Sequence, residues 1–171
     1  MTGNDPILRG IAFREAGYVV AYINNGIEIP NTEILPSSPF VGSIPREKLL
    51  ANFMRYYESA SSADMTLRKE LETEIVPAYA GELAKSNALR MPLSNVLCGS
   101  VEEHAFATRQ CFRLFMDQSV AEAYMHFLRE WARSIIFDDW SAVVAIADTL
   151  IVERLVTRQR LCNIYGREAR K

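Results

Sequence analysis

Apolar residues in this chain recur mostly at helical spacing. Ala12, Ala16, Val19, Val20 and Ile23 lie three or four positions apart and predict one face of a first helix. Asn4-Asp5-Pro6 marks its start, with a capping side chain followed by a proline whose missing N–H is not needed there. Gly26 is placed to end it in the left-handed conformation. Ile27-Glu28-Ile29 and Glu33-Ile34-Leu35, separated by Pro30 and Asn31, then predict short strands or a hairpin, and residues 40–44 a further strand. From Pro45 onward the pattern is helical again. Leu49, Leu50, Phe53, Met54 and Tyr57 line one face, and another helix is expected from about Asp64 toward Asn87, bent at Pro77. Ser100-Val101-Glu102-Glu103 and Ser119-Val120-Ala121-Glu122 both fit a capping box and predict two more helix starts. A last long helix should begin near Asp138-Asp139, with Trp140, Val143, Val144, Ala147, Leu150, Ile151 and Leu155 on its buried face. The expected class is mainly α, with a short β-hairpin or small sheet after the first helix.

Composition narrows the classes without naming one. An apolar content of 49% over 171 residues is enough for one self-sufficient core and excludes a disordered chain. Cys98, Cys111 and Cys162 are too widely spaced for a zinc knuckle or a CxxC redox pair and read as free thiols in a reducing cytoplasm. No secretion signal, membrane-spanning apolar run or phosphate-binding glycine loop is visible. Net charge is −2, yet residues 154–171 carry six basic side chains and one acidic one. Only Tyr165 interleaves an aromatic ring, so residues 158–171 read as a basic C-terminal tail behind a domain of residues 1–157. The tail reads as part helix broken at Gly166, not as a nucleic-acid contact.

Candidate chemistry lies in the first helix. Residues 14–18 read Arg-Glu-Ala-Gly-Tyr. A helical H-E-x-x-H places two imidazoles one turn apart on a zinc ion, with the glutamate as general base toward a metal-bound water. Here the glutamate is Glu15, while Arg14 and Tyr18 occupy the histidine positions. Downstream, Thr32-Glu33-Ile34-Leu35-Pro36 leads to Gly42, and Ala80-Gly81-Glu82-Leu83-Ala84-Lys85 follows. Glu103 stands four residues before the Ala107-Thr108 pair, and a helical stretch begins at Trp140. In that order the segments resemble the M41 peptidase domain, the zinc-protease half of the FtsH-type membrane-bound AAA proteases. The resemblance runs from about residue 8 to residue 162, with Lys85 where the family has glutamate.

The resemblance implies a zincin-like domain standing alone, without ATPase or transmembrane parts. It also implies ligand-equivalent positions at Arg14, Tyr18 and Glu103. A guanidinium only donates hydrogen bonds and stays protonated, and a tyrosine ligates only as a phenolate. No zinc or other cofactor is therefore expected, and Glu15 is left as a vestigial general-base position. The expected function is an inactive metallopeptidase-like binding or regulatory module. The alternative is an active metal-dependent peptidase with a non-standard site and Glu15 as base. In the inactive reading a strand edge over residues 27–44, with Ile34 and Leu35, is the expected peptide-binding element, since main-chain pairing needs no metal. A peptide or protein partner or a homo-oligomer fits this reading; a membrane or nucleic acid does not.

Simpler explanations exist for each residue. Glu15 fits a surface carboxylate, Glu103 the third residue after a capping Ser100, and Arg14 with Tyr18 a cation–π pair at i, i+4. His126 is spaced to pair with Glu122, and His104 and Glu103, as sequence neighbours, should not face each other.

Overall fold

The computed structural model describes residues 5–29, 31–34, 65–99 and 101–169. The expected strand at 40–44, the helix of Leu49 to Tyr57, Leu35, Pro36, Gly42 and the capping Ser100 lie outside the described residues. Among those described, the architecture is mainly helical, with one small antiparallel sheet.

Helix α1 (Pro6–Asn24) starts as its sequence predicts: Asp5 Oδ1 accepts from the Ile7 N–H at 2.9 Å, and Pro6 opens the first turn. It also ends as predicted. Gly26 has φ +69°, and the Gly26 and Ile27 N–H groups turn back onto the Ile23 and Tyr22 carbonyls at 3.0 and 2.8 Å. The single apolar face expected for α1 is a correction. The helix is buried on nearly every side, because α2 (Met65–Ala88), α4 (Gln118–Asp138) and α5 (Trp140–Glu153) all pack against it. A helix covered all round belongs at the centre of a domain. α2 continues through Pro77 as one helix and packs on α4.

α3 (Val101–Phe115) turns into α4 through Met116, at φ 56°. The cap of α4 is Asp117, not the expected Ser119. Asp117 Oδ1 accepts from the Val120 N–H at 3.0 Å and from the Ser119 hydroxyl at 2.6 Å. Both residue types can cap, but a carboxylate adds negative charge at the positive end of the helix. The Ser119 hydroxyl and the Val120 N–H hold the Asp117 carboxyl below its ordinary pKa.

α5 begins at Trp140 as expected and stops at Arg154, at φ 65°. Leu155 is therefore not on the helix face; it is 55% exposed in strand β2 (Leu155–Val156). β2 pairs with β1 (Thr32–Glu33), with Thr32 opposite Val156 and Glu33 opposite Leu155. The local hairpin of residues 27–29 with 33–35 is thereby corrected to a pairing of distant segments. α6 (Arg158–Glu168) runs through Gly166 without the expected break, and it puts Leu161 and Ile164 into the core. Arg158 pairs with Glu28 and Arg160 with Glu153. No helix among the described residues is long and apolar enough to cross a membrane.

Candidate functional site

The motif residues sit where α1 crosses α2, and two glycines set how closely the helices approach. A Cβ on Gly17 would lie 2.5 Å from the Ala80 carbonyl oxygen and 2.8 Å from the Ala84 Cβ. A Cβ on Gly81 would lie 2.6 Å from the Tyr18 ring. Each helix lacks a side chain where the other presents bulk, so the Ala-Gly pairs of both segments have a steric role.

This approach brings Glu82 to Arg14. Arg14 Nε lies 2.6 Å from Glu82 Oε1, with the two side chains only 12% and 16% exposed. Nε makes no aligned hydrogen bond, so the attraction is between the charges themselves. Lys85 Nζ stands 3.5 Å from the other Glu82 oxygen. The Arg14 guanidinium also lies over the Tyr18 ring, 5.8 Å from its centroid, as the i, i+4 spacing predicts. Burial works to lower the Arg14 pKa, but Tyr18, Glu82 and Glu15 outweigh it and raise the pKa above its ordinary value. Arg14 is a fixed positive charge in this site.

Glu15 is 0% exposed, which corrects its reading as a surface carboxylate. Around the middle of α1 nearly every direction leads into protein, and polar residues there are enclosed with the rest.

Tyr18 and Glu103, far apart in sequence, line one cleft of about 60 Å³ with Tyr22, Glu74, Cys98 and Phe106. That volume suits a few waters. The Glu103 carboxylate lies against Gly99. Beside it, His104 Nδ1 accepts from the Cys98 N–H at 3.3 Å, and its ring meets the Tyr79 ring edge-on at 6.4 Å. Burial lowers the His104 pKa. Burial also raises the Cys111 thiol to about 12. Cys98 and Cys111 are buried and Cys162 is partly so.

The remaining expectations resolve differently. His126 is exposed and its Nδ1 faces Arg129 Nη2 at 3.2 Å, while Glu122 accepts from Gln118; the His126–Glu122 pairing does not form. Ile34 is buried, and its N–H donates to the Arg154 carbonyl at 2.8 Å, so that donor is already used within the chain.

As a zinc site this donor set does not fit. Of Arg14, Tyr18 and Glu103 only Glu103 offers an ordinary metal ligand, and the Arg14 guanidinium is a fixed cation. Among the described residues no three His, Cys, Asp or Glu side chains are grouped to hold a metal ion. Glu82 is the participant that periodicity did not single out; its signal was the Ala80-Gly81-Glu82 segment, whose glycine marks a close approach. Comparison with protein-family models, curated proteins and solved structures gave no match.

Proposed function

We propose that this chain is a catalytically silent, metallopeptidase-like protein of the M41 type that serves as a binding or regulatory module. The observation that carries the reading is the Arg14–Glu82 ion pair. It fills the first ligand position with a fixed positive charge and holds that charge against Tyr18, the second position. The meeting of Tyr18 and Glu103 at one cleft supports aligning Glu103 with the family's third ligand position. Glu15 then has no metal-bound water to deprotonate, and its carboxylate is enclosed among packed helices.

Elemental analysis of purified protein tests this reading, with less than stoichiometric zinc expected. The variant Arg14→His with Tyr18→His and Glu103→Asp should gain zinc affinity, because ligand identity is what the site lacks. About one zinc per wild-type chain, lost on Glu103→Ala, would overturn the reading. A folded triple variant that binds no zinc would remove the alignment of Glu103.

A further inference from the structure

Away from the motif helix, α2, α4 and α5 enclose a groove of about 420 Å³. Leu83 and Asn87 come from α2, Leu93 from the 3₁₀ turn Leu93–Asn95, Arg133, Ile136 and Phe137 from the end of α4, and Trp140 from the start of α5. Leu83 and Ile136 are buried and form the floor. Leu93 and Phe137 are 39% and 82% exposed, so the rim is apolar as well. The Trp140 ring stacks on Phe13 at 5.7 Å, which fixes it as a wall tied to the core. Single exposed apolar side chains are ordinary. Here they share one concavity, in the size range of small-ligand sites.

The polar groups of the groove select the ligand. Among the described lining residues Arg133 is the only ion, and the one other polar side chain is Asn87. Arg133 Nη1 reaches Glu130 at 3.3 Å. A guanidinium carries five donors, so most of its fork remains for a second acceptor. Arg129 Nε also stands 3.6 Å from the Glu130 carboxylate, so the two arginines share one acidic partner and leave a net positive charge beside the groove; an apolar amine would bring a like charge to it, and a neutral apolar molecule would gain nothing from it. We propose that this groove binds a small apolar carboxylate, its hydrocarbon or aryl body against Leu93, Ile136, Phe137 and Trp140 and its carboxylate on Arg133. The site is separate from the α1–α2 crossing and does not depend on the reading of Arg14.

The test uses the full chain with Trp131→Phe, which leaves Trp140 as the sole tryptophan. Emission is followed while octanoate, octylammonium or octanol is added, and calorimetry on the unaltered chain gives an ordering that needs no substitution. Octanoate should give a saturable change, at least about tenfold tighter than the other two. Arg133→Leu, at an exposed position, should weaken octanoate about tenfold and leave octanol unchanged. Phe137→Ser, also exposed, should weaken octanoate severalfold. No saturable response up to about 10 mM octanoate overturns the proposal. An equal response to octylammonium, or octanoate binding untouched by Arg133→Leu in a variant with wild-type circular dichroism, also overturns it.

Discussion

Gly17→Ala is the sharpest test of the crossing on which the candidate site stands. The added Cβ would lie 2.5 Å from the Ala80 carbonyl oxygen, 2.8 Å from the Ala84 Cβ and 2.9 Å from the Ala80 carbonyl carbon. Comfortable non-bonded separations are about 3.5–4.0 Å. Two of the three obstructing atoms are backbone and cannot rotate aside, so α1 and α2 must separate by about 1 Å. Overpacking of this kind costs about 1–3 kcal/mol, and a backbone obstacle belongs at the upper end. Alanine returns about 1 kcal/mol of helix propensity. The expected net loss is about 2 kcal/mol, or roughly 4–8 °C in Tm for a chain of this size. Gly166→Ala is the matched control: it too lies inside a helix, but nothing is within 4 Å of its added Cβ. It should gain about 0.5–1 kcal/mol. Urea unfolding or scanning calorimetry of both variants reads the difference. If Gly17→Ala is as stable as the parent while Gly166→Ala shows its gain, the close α1–α2 approach is refuted, and with it the placement of Glu82 against Arg14.

Two further outcomes follow from the same contacts. The folded-state pKa of His104 is lowered by burial, so the unfolded chain takes up its proton first as pH falls. Its contribution to stability should be complete above about pH 6.5 and decline below it, because the unfolded chain gains the proton while the folded chain keeps Nδ1 free to accept from Cys98; unfolding of wild type and His104→Gln between pH 7.5 and about 5 should show this slope in wild type only, and parallel profiles would refute it. Ile34→Pro removes the N–H that donates to the Arg154 carbonyl and truncates a side chain that is 1% exposed, so it should cost about 3 kcal/mol or more; a variant of unchanged Tm would show that the β1–β2 pairing does not hold that segment.

The sequence by itself determined what is local. Asp5-Pro6 and Gly26 bounded α1 because caps and left-handed glycines act within a turn of the helix end. Arg14 over Tyr18 was legible because i and i+4 meet on any helix. Tertiary structure decided the rest. The capping-box pattern pointed to Ser119, and only the actual chain path through Met116 made Asp117 the cap. The partner of Thr32 was Val156, not a nearby residue, because a two-residue strand carries too little pattern to name its mate. Glu15 looked like one polar position on an amphipathic helix until packing on nearly every side of α1 enclosed it. The Arg14–Glu82 pair and the Tyr18–Glu103 cleft depend on where separate helices cross, and that is set by the small residues at their contact: Gly17 and Gly81 are visible in the sequence, but which helix each one faces is fixed only when the core closes.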